Sequence, residues 1–374
     1  MPNILLLGGT GAIGFYLAPL LCKEGFQVFC TTRSSIDGTC RTDSDVHYII
    51  GNAYEMDWLQ KVLELRQYDC IIDFMNYSTS DFRDRINNIL SKVGHYIFLS
   101  SYRVFADSGL TPLREDSPRL LDVCTDMQYL RTDEYGLSKA RQEDILSGNK
   151  HGNWTIVRPA ITYSRYRFQL FTLESNTVCF RALRGLPVPL PIEMMDKYTT
   201  MTWAGDVARL ITKLVTKKDS FSQIYNLATG ESIKWSEVLS VYRSEIGLNC
   251  RMLPIKSYEE IVGNHYQIWY DRMFNRIMDN SKILKFTNES SNNFKSLSDG
   301  LAMELKEFIV YPYCQYPNHA LNIKMDKAIG CHLSPFAVSP KEWYSYAILR
   351  YSIFHYIRAL NARIVSIVRR FSII

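Results

Sequence analysis

Apolar residues in the first third of the chain come in two alternating textures. Short unbroken runs, "NILLLGG", "FQVFCTT", "VHYIIGN", "YDCIIDFM" and "HYIFLSS", have no polar face and suit parallel strands buried on both sides. Between them "AIGFYLAPLLCKEG", "MDWLQKVLELRQ" and "RDRINNILSKVG" carry apolar residues at helical spacing, the first closing on Gly25 as a C-cap. Strand and helix in alternation predict right-handed βαβ units and a doubly wound parallel sheet of the Rossmann type.

The second half is less regular. "NWTIVRPAITY" predicts a sixth strand, "GLPVPLP" a proline-punctuated loop or edge element, "AGDVARLITKLVTKK" an amphipathic helix and "SQIYNLAT" a further strand. Residues 230–310 read as mostly helical, with a polar loop at "TNESSNN". The expected organisation is an α/β fold. Residues 1–163 and 205–228 form the Rossmann domain, and 164–204 and 229–336 a smaller α+β substrate lobe. Residues 337–374 form a C-terminal amphipathic helix that carries Arg350, Arg358, Arg363, Arg369 and Arg370. That helix suits packing on the protein or on a second subunit, or else peripheral contact with an anionic membrane surface.

Composition narrows the class only a little. A 47% hydrophobic and 22% charged chain with net charge +5 is ordinary for a globular protein. No run is long and apolar enough for a transmembrane span, and "MPNILLLGG" reads as a first strand rather than a signal peptide. The nine cysteines lie outside any C-x-x-C or zinc spacing, so they are expected to be reduced and mostly buried in a cytoplasmic protein without a metal site.

Two short patterns carry chemistry. Gly8, Gly11 and Gly14 stand where the first strand turns into the first helix, with Thr10, Ala12 and Ile13 between them. A pyrophosphate needs close backbone approach at a helix N-terminus, so Gly8 and Gly11 would keep side chains out of its way and Gly14 would let the helix pack close to the sheet. The second strand ends in Arg33 where NAD enzymes carry an acid, so a 2′-phosphate is favoured and NADP preferred to NAD. Tyr135 and Lys139 share one helix face, and an ammonium beside a phenol favours the phenolate that acid–base work requires. Ser101 ends the fifth strand, where a hydroxyl reaches the oxygen that Tyr135 would protonate.

With these residues in this order, residues 1 to about 310 resemble the extended short-chain dehydrogenase/reductases, the NAD(P)-dependent epimerase/dehydratase group. The resemblance implies a Ser101–Tyr135–Lys139 catalytic set. It also implies cofactor contacts from Asn52 and Ala53, where an adenine-contacting Asp is usual, from Met75 at a position usually small, and from Pro159 in "VRPAITY". A nucleoside-diphosphate sugar is the implied substrate, with Arg165 and Arg167 as a diphosphate clamp and Tyr163, Tyr166, Tyr266 and Trp269 as stacking rings. Dehydratase relatives follow the serine or threonine with an Asp-Glu pair; Tyr102-Arg103 stands here, which disfavours dehydration. The implied activity is a 4-epimerase or 4-ketoreductase, in a homodimer and without nucleic acid as partner. The alternatives are a non-catalytic scaffold or sensor of the RNA-associated type, which "SSYRVF" followed by "ADSG" also resembles, and a reductase of a membrane-associated carbonyl.

Overall fold

The computed structural model describes residues 1–33, 45–312 and 318–351. β1 (Asn3–Leu7), α1 (Ala12–Lys23), β2 (Gln27–Thr32), β3 (Val46–Ile50), α2 (Met56–Glu64), β4 (Tyr68–Asp73), α3 (Thr79–Lys92), β5 (Val93–Leu99) and β6 (Trp154–Pro159) follow the predicted alternation. A later strand, Gln223–Leu227, joins these six in one sheet. The order is Gln223–Leu227, β6, β5, β4, β1, β2, β3, with every neighbouring pair parallel.

Alternate residues of β1 feed opposite cores. Ile4 and Leu6 pack with Leu17 and Leu21 of α1 and with Val207, Leu210 and Ile211 of the helix Ala204–Leu214. Leu5 and Leu7 pack with Leu59 and Val62 of α2 and Phe82, Ile86 and Ile89 of α3. A strand buried on both faces has no polar side to show, hence its continuous apolar run. Each fully buried Leu or Ile contributes about 1.5–3 kcal/mol.

Three boundaries differ from expectation. α3 begins at Thr79, one turn before the expected "RDRINNILSKVG", because Ser78 caps it: its Oγ accepts from the Asp81 N–H at 3.1 Å. At its far end Lys92 passes directly into β5, so Val93 and Gly94 are strand rather than helix. The expected sixth strand divides at Pro159: β6 stays in the main sheet, while Ile161–Tyr163 pairs in parallel with Met201–Trp203. The "GLPVPLP" element is a short strand, Val188–Pro191, paired with Cys250–Leu253.

A third core is built from the later chain and gathers Phe168, Leu170, Val178, Trp235, Leu239, Tyr258, Leu301 and Phe308. The helices His319–Ile329 and Pro340–Tyr351 are tied to this part of the protein by a fully buried ion pair, Arg181 to Asp326 at 2.7 Å. Tyr346 donates to the other Asp326 oxygen at 2.7 Å, and Arg350 lies 3.8 Å from it. Arg350 is thus engaged within the protein. The rest of the expected C-terminal helix, with Arg358, Arg363, Arg369 and Arg370, lies outside the described residues. Among the described residues no helix is long and apolar enough to cross a membrane.

Candidate functional site

Two adjoining cavities open along the ends of β1, β4 and β5. The larger, about 440 Å³, is lined by Gly8, Gly11, Ala12, Ile13, Met75, Ser101, Tyr135, Lys139, Pro159 and Arg167, among others. The smaller, about 250 Å³, is lined by Thr10, Arg33, Asn52 and Ala53, among others. Gly8, Phe74, Met75 and Asn76 border both.

The glycine turn has three different reasons for its three glycines. Gly8 takes φ +69°, and a Cβ there would meet the Met75 sulfur at 2.8 Å. Its N–H donates to Thr31 Oγ1 at 2.9 Å, which fixes the turn on β2. A Cβ on Gly11 would meet nothing within 4 Å, so that side of the turn is open. A Cβ on Gly14 would stand 1.9 Å from the Gly9 carbonyl oxygen. Gly14 therefore lets α1 close on its own loop, a nearer contact than the sheet packing expected of it, and it is absent from both cavity linings. No side chain caps α1 and no acid stands in its first turn. An anion is favoured there by the helix dipole and by N–H groups without helical partners.

Tyr135 is the first residue of the helix Tyr135–Ser147. Glu134 caps that helix, accepting from the Gly136 N–H at 2.8 Å. Gly136 brings the helix against the Ser101 turn, since a Cβ there would lie 2.7 Å from the Arg103 carbonyl oxygen. Ser101 is buried and its Oγ accepts from the Arg103 N–H at 3.2 Å. Lys139 is buried too. Its Nζ donates to the Met75 carbonyl at 3.4 Å, 6.0 Å from the Tyr135 ring centre. Burial pushes the ammonium down to about 8, against the pull of Asp73 and Glu143. Behind the site Glu143 holds Arg158 through two 2.8 Å bonds and accepts from Ser100 Oγ at 2.5 Å, locking the Tyr135 helix to β6.

Arg33 is exposed on the smaller cavity; among the described residues it has no ion-pair partner and no carboxylate lines that cavity. Arg167 lines the larger cavity, 3.9 Å from Glu174. Arg165 is absent from both linings. Its guanidinium lies 3.6 Å from buried Glu304 and 3.4 Å from Glu307. The expected stacking rings Tyr163, Tyr166, Tyr266 and Trp269 are absent from both linings as well. Tyr163 is fully buried, Tyr266 packs on Tyr129, and Trp269 Nε1 donates to Glu259 at 3.0 Å. Among the described residues no group of His, Cys, Asp and Glu is arranged to hold a metal ion.

The sequence model of the NAD dependent epimerase/dehydratase family matches residues 4–228, more than half of the chain. The chain belongs to that family. This epimerase/dehydratase chain is 24% identical over 238 residues to the chloroplast stem-loop binding protein of 41 kDa b of Arabidopsis thaliana, covering 60% of the chain and 58% of the relative. It is 27% identical over 171 residues to the UDP-glucose 4-epimerase of Neisseria meningitidis, covering 39% of the chain and 48% of the relative. The chain thus spans about half the length of the curated relatives it matches. Among solved structures, the dTDP-glucose 4,6-dehydratase of Bacillus anthracis in complex with NAD superposes with TM-score 0.64 at 16% identity, over 83% of this chain and 97% of that one. At that identity the likeness speaks for the fold.

Several residues at or behind the larger cavity escape a reading of the sequence. Gly136, a poor helix former directly after Tyr135, is a visible signal of close approach. Arg103 and Arg272 also line the larger cavity, and Asp271 lies behind them. A π-helical turn, Ile268–Arg272, presents Asp271 and Arg272, and no local pattern announces it.

Proposed function

We propose that the chain is an NAD(P)-dependent epimerase or ketoreductase acting on a nucleoside-diphosphate sugar, with residues 1–163 and 205–228 holding the cofactor and the remaining lobe the sugar. The single supporting observation is that Gly11, Ser101, Tyr135 and Lys139 line one cavity that adjoins the cavity of Arg33. The residues present fit a dinucleotide: an open turn at Gly11, an uncapped helix start and, among the described residues, no carboxylate in the wall around Arg33. Gly8, Gly11, Ala12 and Ile13 would receive its phosphates, and Arg33 a 2′-phosphate. When bound, the nicotinamide accepts or supplies hydride.

In this proposal Ser101 orients the substrate oxygen by a hydrogen bond. Tyr135 moves the proton at that oxygen. Lys139, held by the Met75 carbonyl with its ammonium 6.0 Å from the Tyr135 ring centre, binds ribose. Tyr135→Phe should abolish turnover of UDP-glucose or related sugar nucleotides while NADPH binding stays within about 3-fold. A Phe variant that keeps most of its activity refutes the role. Arg33→Ala should weaken NADPH about 10-fold and leave NADH unchanged.

A second reading has its own support in the relative named for stem-loop binding. A non-catalytic, RNA-associated chain has no need of the Ser101, Tyr135 and Lys139 set. Stem-loop RNA binding without hydride exchange would favour it over the enzyme.

A further inference from the structure

The larger cavity has a basic wall. Among the described residues Arg103, Lys139, Arg167 and Arg272 line the cavity, with Glu174 the only carboxylate. Behind the wall Asp271 is fully buried and gathers three guanidiniums: Arg103 Nε at 3.2 Å, Arg276 Nε at 3.2 Å, and Arg272. Glu134 pairs with Arg103 as well. Three cations therefore face two carboxylates, and the cluster keeps one positive charge.

The spare capacity lies on one residue. Arg276 is fully engaged, with bonds to Asp271 and to the Phe105, Ala106 and Tyr270 carbonyls. Arg272 bonds the Phe171 carbonyl, Tyr102, Asp271 and Gln169. Arg103 spends Nη2 on Glu134 and turns its buried Nε to Asp271 at 3.2 Å, which leaves Nη1 without a hydrogen bond among the described residues. Its guanidinium carbon stands 5.3 Å from the Tyr135 ring centre, and its own N–H is held by Ser101. The free Nη1 thus belongs to a guanidinium that adjoins the place where the reacting oxygen would sit.

Resting on the function proposed above, we propose that the sugar is a uronate whose carboxylate is received by Arg103. In a pyranose reacting at C4, the C5 substituent is the neighbour of the reacting carbon, whereas the diphosphate on C1 lies across the ring. A carboxylate at C5 brings the charge and the acceptor oxygens for a charge-assisted hydrogen bond from the free Nη1. A buried surplus cation also gains from an anionic ligand more than from a neutral hydroxymethyl group.

The test uses the full chain and two probes on one nucleotide, UDP-glucuronate and UDP-glucose. The wild-type protein should prefer the uronate in kcat/KM, and Arg103→Gln should lower that preference about 10- to 100-fold, chiefly through KM. Arg103→Lys should restore part of it. Thermal protection of the wild-type protein by each probe gives the same comparison should the Gln variant fail to fold. Preference for UDP-glucose, or an equal loss with both probes as expected of a diphosphate contact, overturns the inference while leaving the enzyme reading in place. Binding of neither probe, with NADPH bound or not, refutes the sugar-nucleotide reading itself.

Discussion

Gly11→Ala and Gly14→Ala make a matched pair, because the same added methyl meets opposite surroundings. At Gly14 it would stand 1.9 Å from the Gly9 carbonyl oxygen and 2.6 Å from its carbon, backbone atoms that have no rotamer to yield. The turn must open, at a cost of about 3 kcal/mol or more. At Gly11 the backbone, φ −84° and ψ −167°, is one alanine adopts freely, and no atom lies within 4 Å of the new methyl. Losing glycine at this N-cap costs at most about 1 kcal/mol. A phosphate resting there would lose close approach to the N–H groups, each charge-assisted bond worth about 1.5–3 kcal/mol. One such loss weakens binding about 10- to 100-fold. Chemical denaturation and NADPH fluorescence titration read the two quantities separately. Gly14→Ala should lose both stability and binding, and Gly11→Ala binding alone. Wild-type NADPH affinity in Gly11→Ala would remove the phosphates from that turn.

Three further outcomes follow from buried charges. His95 is held at about 3 by burial, with Thr155 at 2.8 Å. The unfolded chain takes up its proton near 6.5 and the folded one does not, so stability is full above 6.5 and falls as pH drops toward 3. The loss is about 2 kcal/mol at pH ~5, and His95→Gln should flatten it in acid denaturation. Arg158→Met should cost about 3 kcal/mol in urea unfolding, because buried Glu143 keeps only the longer Arg119 contact at 3.4 Å as its cation, and Glu143→Leu added to it should recover part. Lys139, held near 8, should lose its charge above that pH, so NADPH affinity should fall up to about 10-fold per pH unit there. Lys139→Met should bind weakly without that alkaline limb.

The sheet was legible because strands buried on both faces write their apolar runs without interruption, as β1 does with Ile4 to Leu7. The start of α3 was legible in principle, since Ser78 and Asp81 form a capping pair, but helical periodicity alone set it a turn late. The glycine turn and the Tyr135–Lys139 spacing are local patterns and could be read. Partners far along the chain could not. Arg165 showed its charge in the sequence but not Glu304, 139 positions away, which takes its backbone N–H at 2.8 Å. The cluster on Asp271 was invisible for the same reason.

That cluster has a consequence for synthesis. Tyr102 waits for Asp271, 169 positions later, before its hydroxyl finds the carboxylate at 3.1 Å. At ribosomal speeds the interval is roughly 10–30 s. Through most of it the nascent chain holds Arg103 with Glu134 but without Asp271, so a half-made molecule can present a folded sheet yet no finished pocket.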